Sequence, residues 1–289
     1  MKSAIGFAAL AAWVSLAGAA EAAARAPASA PSTESLITSH VAARGGMAAL
    51  QAIHTVKMIG VMRPGGFDAQ FGFSETMVRP DEVRLEATLQ GLTVVQAYDG
   101  RKGWQIQPFQ GRKDAEDLSA DDAKSLQEEG DFEDGLIDAR AKGSTIDNLG
   151  SVDVDGAPTW ALRVSLKNGD QETYYLDPDA MLAVRMVTRQ VIRGAETFTQ
   201  TDYGDYEKVA GVYFPFEVAS GPKGSTIQQR VTYKTIEANV PVDPAIFARP
   251  SGPAATPGAG APSPVAKAPG APVPVKPKTE PVPPPPAAR

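Results

Sequence analysis

The stretch from Pro158 to Met186, PTWALRVSLKNGDQETYYLDPDAMLAVRM, alternates apolar and polar residues and breaks at Asn168-Gly169. It alternates again, breaks at Asp177-Pro178 and resumes. Side chains on a strand point to opposite faces with a period of two, so the pattern predicts two-faced β-ribbon. Asn-Gly is a strong hairpin signal because both turn positions require positive φ. Trp160, Leu162, Val164 and Leu166 fall on one face, with Ala161, Arg163 and Ser165 on the other. An apolar sheet face must be covered, either by a packed core or by an apolar ligand.

The same pattern runs along most of the chain. TVKMIGVM ends at Arg63-Pro64-Gly65-Gly66, and FDAQFGFSETMVR ends at Pro80-Asp81. EVRLEATL puts Val83, Leu85, Ala87 and Leu89 on one face. Gln90-Gly91 leads into LTVVQAY, and Asp99-Gly100 into KGWQIQ. Strands return at TIDNLGSVDV and continue through MLAVRMVTRQVIR, ETFTQTDYGDYEKV, VYFPFEVA and STIQQRVTYKTIEANV. In MLAVRMVTRQVIR, Leu182, Val184, Met186 and Ile192 are expected on one face, and Arg185, Val187, Arg189, Val191 and Arg193 on the other. About a dozen strands with short connections predict one extended antiparallel sheet, strongly curved or partly closed.

Two segments break the alternation. STESLITSHVAARGGMAALQAI places Leu36, Ile37, His40 and Val41 at helical spacing, starts at Ser32 or Thr33, and is interrupted by Gly45-Gly46. A short helical turn is expected from Met47 to Ile53. From Asp114 to about Ala141 β-branched residues are scarce. Ser119 and Asp122 form a capping-box-like pair, predicting one helix over 120–129 and a second near 135–141. These helices are the only material available to cover the sheet.

The ends differ in composition. The first 20 residues read as a cleaved signal peptide: Lys2, an apolar run from Ile5 to Leu16, then small residues fitting an A-x-A site at 17–19 or 18–20. That run is shorter than the ~20 residues a membrane helix needs. Residues 21–31 form an Ala/Pro/Ser linker, 32–250 the folded body, and 251–289 a Pro-rich tail too poor in large side chains to offset the entropy of ordering. The expected destination is the periplasm.

Candidate chemistry is sparse. There is no cysteine, hence no disulfide, thiolate or cysteine zinc site. His40 and His54 stand in no metal or triad spacing, and His40 falls within the first helix pattern, as a packed histidine would. No phosphate-binding or nucleophile-elbow motif occurs. Neither catalytic residues, metal ligands nor a cofactor are expected, and the protein is read as not an enzyme. The acidic run EEGDFEDG, Glu128 to Gly135, lacks EF-hand spacing and is expected to be a solvated helix end. Arg185, Arg189 and Arg193 could meet anionic head groups, but are expected to balance neighbouring carboxylates on an exposed face. Net charge is −6, and the tail carries Lys267, Lys276, Lys278 and Arg289 against Glu280, so the body is more acidic still. That argues against nucleic acid as a partner.

The stretches HVAARGGMAALQAIHTVKMIGVM, AYDGRKGWQIQPFQGRKDAEDLSADDAKSLQEE, YYLDPDAMLAVRM and TDYGDYEKVAGVYFPFEVASGPKGS resemble, in order and spacing, the LolA/LolB-like outer-membrane lipoprotein-sorting proteins. The resemblance spans most of residues 40–240. It implies a mainly β fold with covering helices: a single curved antiparallel sheet forming an unclosed half-barrel. It also implies a carrier or chaperone that holds lipoprotein acyl chains or other lipid cargo, with a partner protein in the outer or inner membrane. The alternative is a lipid-sensing or protein-interaction module acting through the sheet and tail, without transport. The residues expected to line the apolar cavity are Met58, Phe71, Phe73, Leu85, Leu89, Val94, Trp104, Ile106, Trp160, Leu162 and Val164.

Overall fold

The computed structural model describes residues 30–226 and 228–250. The expected signal peptide, most of the linker and the Pro-rich tail lie outside the described residues. Helices α1 (Thr33–Arg44) and α2 (Met47–Gln51) open the described chain. The Ser32 side chain accepts the Ser35 N–H at 3.2 Å to cap α1.

Strands β1 (Thr55–Arg63), β2 (Phe71–Val78), β3 (Glu82–Leu89), β4 (Leu92–Tyr98), β5 (Gly103–Gln107) and β6 (Arg112–Asp117) follow as a meander. After α3 (Ala120–Glu129) a second meander runs through β7 (Thr145–Val154), β8 (Ala157–Ser165), β9 (Gln171–Leu176) and β10 (Ala183–Ile192). It continues through β11 (Ala195–Val209), β12 (Val212–Pro222) and β13 (Gln229–Ala238).

All thirteen strands form one antiparallel sheet in the order β6-β5-β4-β3-β2-β1-β13-β12-β11-β10-β9-β8-β7. The two meanders meet where β1 pairs with β13, the first strand with the last. Gly60 sits at a register shift in this seam, and a Cβ there would overlap the Thr232 carbonyl. The side-chain-free residue lets the two halves join without a gap.

Sheet order explains the covering. β6 and β7 are the two outer edges, and they are consecutive in the chain. The connection between them, residues 118–144, must therefore travel from one edge of the unclosed barrel to the other. It does so across the concave face, packing Leu126 and Ile137 into the core of the first half and Leu136 into that of the second. We call this segment the crossover.

Three expectations need correction here. β6 occupies residues 112–117, where the sequence is too polar to read as a strand; it is an edge strand with most side chains exposed. Residues 135–141 form consecutive turns instead of a helix. Asp134 (φ 73°) and Asp138 (φ 53°) adopt left-handed backbone, which interrupts helical hydrogen bonding. In β10 a bulge between Ala183 and Arg185 resets the alternation, so Ala183, not Val184, shares the concave face with Met186.

Both faces of the first meander are covered. The concave face carries Met58, Met62, Phe73, Met77, Val83 and Leu85 against α2 and the crossover. The convex face carries Val95, Ala97, Trp104 and Ile106. The chain after β13 returns over this convex side. The Trp104 Nε1–H donates to the Phe247 carbonyl at 2.7 Å, and Arg84 donates to the Ile246 carbonyl at 2.6 Å.

Candidate functional site

Between the concave face and the crossover lies a cavity of about 1060 Å³. Ligand pockets commonly fall at roughly 300–1,000 Å³, so this one stands at the large end. One part of its wall is apolar: Met58, Phe73 and Met77 from β1 and β2, and Phe214, Val218 and Val231 from β12 and β13. The other part is built from β9 to β13 and is polar. Thr188 stands opposite Glu172 on β9 and Thr199 on β11. Met186 stands opposite Tyr174 and Thr201, and Thr201 opposite Ser220. The wall therefore has an apolar part and a polar part.

Two carboxyl groups reach this space. Glu75 sits on the concave face of β2, directly opposite Met58 on β1 and Leu85 on β3, and is 5% exposed. The Tyr233 hydroxyl donates to it at 3.0 Å. Burial, helped by the charge of Glu129, pushes the Glu75 carboxyl up to about 8. Glu172 accepts from the Tyr174 hydroxyl at 2.7 Å, and that hydroxyl accepts the Gly135 N–H at 2.8 Å. Burial pushes Glu172 up to about 7. Desolvation disfavours the charged form of both, so near neutral pH Glu75 stands mostly protonated and Glu172 titrates.

The crossover is fastened by ion pairs. Arg44, at the end of α1 and 6% exposed, donates to Asp134 Oδ2 at 2.5 Å and to the carbonyls of Tyr213 (3.0 Å), Phe132 (3.2 Å) and Glu133 (3.4 Å). His40, fully buried, presents Nδ1 to the Met181 carbonyl at 2.7 Å and Nε2 to Asp134 Oδ2 at 3.0 Å. Burial alone would raise the Asp134 carboxyl; His40 and Arg44 outweigh it and hold it below the ordinary carboxylate range. Arg79 donates to Glu133 at 2.6 Å, and Lys142 to Asp131 at 2.5 Å. The acidic run is thus not the expected solvated helix end. Glu133 and Asp134 turn inward to pair with Arg44, buried at the end of α1, and Arg79, half-buried just after β2. Among the described residues, no group of three His, Cys, Asp or Glu side chains is arranged to hold a metal ion.

Of the residues expected to line the cavity, Met58 and Phe73 do so. Leu85 belongs to the concave core, with Phe71 and Val94 packed against it; Leu89, at the end of β3, is half-buried. Trp104 and Ile106 lie in the convex cluster, on the other side of the sheet. Leu162 and Val164 are fully buried against Leu36 and Leu136, with Trp160 packed beside them. The basic set on β10 follows the balanced-face expectation: Arg185 pairs with Asp155 and Asp202, Arg189 with Glu196, and Arg193 with Asp122.

Sequence reading misses Arg44, Asp134, Glu75 and Glu172. Only Glu75 carries a signal. In FGFSETM a period of two places it on one face with Phe71, Phe73 and Met77, an acid in an apolar stripe.

The architecture is a LolA-like half-barrel. The structure is similar to a DUF1329 family protein from Desulfovibrio piger, with 12% identity, a TM-score of 0.51, and coverage of 75% of this chain and 97% of that one. It is also similar to the LolA superfamily protein NE2245 from Nitrosomonas europaea, with 10% identity, a TM-score of 0.50, and coverage of 76% and 98%. At such identities the likeness is one of fold. No family model matches the sequence, and no curated protein matches it either.

Proposed function

We propose that the protein is a non-enzymatic periplasmic carrier that shelters lipid cargo, a lipoprotein's acyl chains or a free lipid, between the half-barrel and the crossover. The carrying observation is the large cavity with apolar walls at Met58, Phe73, Met77, Phe214, Val218 and Val231. The residues proposed to bind cargo are these together with Met186. Those of the expected lining that pack elsewhere act through the core. Each CH₂ moved from water into such a space contributes ~0.8 kcal/mol, so acyl chains supply ample binding free energy even after ordering costs. Release follows when the crossover is displaced, with a membrane protein as acceptor. Among the described residues no helix is long and apolar enough to cross a membrane.

A filling substitution tests the site. Val218 lies on the cavity wall and is only half-buried, so Val218→Trp projects a ring into space that cargo would occupy. Binding of a fluorescent fatty-acid probe should weaken by about tenfold or more, while thermal unfolding stays near wild type because the ring displaces solvent, not packed atoms. A folded variant that keeps wild-type probe affinity would place the cargo elsewhere.

A further inference from the structure

We propose that the cavity selects an amphiphile bearing a cationic amine head group, seated on the Glu75 carboxyl, over neutral or anionic amphiphiles of the same chain length. This rests on the carrier reading above and adds the chemistry of the cargo's polar end.

Glu75 is an acid set in an apolar stretch of the sheet. Its neighbours along and across the sheet are Phe73, Met77, Met58 and Leu85. A carboxyl in that setting costs free energy unless a partner is supplied. Among the described residues its hydrogen-bond partner is a single hydroxyl, Tyr233, donating to one carboxyl oxygen. The titratable groups that face it are Tyr233 from β13 and Glu129 from α3, with apolar side chains from β1 and β3. Among the described residues no cation answers it.

Four of the cavity's cations are already committed elsewhere. Arg44 is paired with Asp134, Arg79 with Glu133, Lys124 with Asp170, and Lys142 with Asp131. Lys167 stands exposed at the edge of the space. Glu75 and Glu172 are left as acids facing the cavity without a cationic partner among the described residues. An anionic head group seated at Glu75 would meet the like charge of the neighbouring Glu129. A neutral one would leave the proton on Glu75. An ammonium would draw the proton off and form a hydrogen-bonded ion pair inside the cavity, the one arrangement that offsets the desolvation of both charges. The apolar wall beside Glu75 then takes the chain. Burial, which pushes the Glu75 carboxyl up to about 8, keeps it protonated in the free protein, so amine binding near neutral pH must release a proton to solvent.

The purified full chain would be loaded with N-phenyl-1-naphthylamine, a neutral fluorescent probe, and titrated at pH 7 with dodecylamine, dodecanol and dodecanoate. Dodecylamine should displace the probe at a concentration about tenfold below that of dodecanol, with dodecanoate weakest. In Glu75→Gln, the amine-to-alcohol preference should collapse to about twofold or less. Calorimetry of wild type in two buffers of different ionisation enthalpy should report about one proton released per amine bound. An amine no better than the alcohol, a preference that survives Glu75→Gln, or no proton release overturns the assignment. Should the alcohol bind without an amine preference, the carrier reading stands and the head-group assignment falls. Should neither the probe nor any of the three bind, both fall.

Discussion

Glu75→Gln should stabilise the protein at pH 8.5 by on the order of 4 kcal/mol and leave it nearly unchanged at pH 4. The native carboxyl, 5% exposed, titrates at about 8, against 4.5 for the free side chain. Below the unfolded value both states hold the proton, and the group is neutral with respect to folding. Between the two values the unfolded chain has lost the proton and the native one keeps it. The unfolded state then binds fewer protons, and stability falls as pH rises. The loss is complete once pH passes the native value. Glutamine keeps the shape and an oxygen to accept from Tyr233, but carries no charge at any pH, so it removes the slope. Urea midpoints at pH 4, 6 and 8.5 measure this directly. Parallel curves for wild type and variant would mean that Glu75 is not held in a desolvated place, and the amine assignment would lose its premise.

Single strands and caps of this fold are legible in the sequence. The alternation in EVRLEATL, LTVVQAY and QETYYL sets strands at 82–89, 92–98 and 171–176, and they are found there. Ser119 caps α3 as its spacing predicts, accepting the Asp122 N–H at 3.1 Å. Such signals are local: a hydroxyl, a turn pair or a period of two acts over a few residues and needs no partner far away. What a face is turned toward is not local. Leu85 and Trp104 both sit on apolar stripes, yet one faces the crossover and the other the returning C-terminal segment. The sheet has cover on both sides, and parity along one strand cannot say which cover meets it. Leu162 and Val164 read as lining for the same reason, but Leu136 and Leu36 reach them first.

The polar half of the cavity is hidden by a different effect. Thr188, Thr199, Thr201 and Ser220 look like solvent-facing positions until the crossover is laid over them. That covering follows from topology alone, because β6 and β7, adjacent in sequence, end on opposite edges of the sheet. The acidic run misleads on the same ground. Its partners Arg44 and Arg79 lie about 90 and 54 residues away in the chain, beyond any spacing rule. Buried charge pairs of this kind are set by the fold and leave no periodic trace.

Arg44→Leu should destabilise the protein by about 3–5 kcal/mol and loosen the crossover first. The substitution removes the guanidinium and leaves Asp134 with the His40 ring as its remaining side-chain partner. It also leaves the carbonyls of Tyr213, Phe132 and Glu133 without the donor that now reaches them. Leucine fills part of the space but answers none of these groups, and a buried acceptor without a donor is costly. The crossover contributes two of the three carbonyls and the carboxylate, so relief is available by letting residues 130–144 swing away from α1. Hydrogen exchange should therefore speed up in 130–144 well before it changes in β1 to β3. The double variant Arg44→Leu with Asp134→Leu separates two causes. If the cost lies in stranding the Asp134 charge, the double variant recovers part of it, and the two single effects sum to more than the double. If the cost lies in the lost carbonyl contacts, the double variant is no better than Arg44→Leu. A single variant within about 1 kcal/mol of wild type, with unchanged exchange in 130–144, would show that the crossover is held by Leu126, Leu136 and Ile137 alone. The ion cluster would then be no part of what holds the crossover over the cavity.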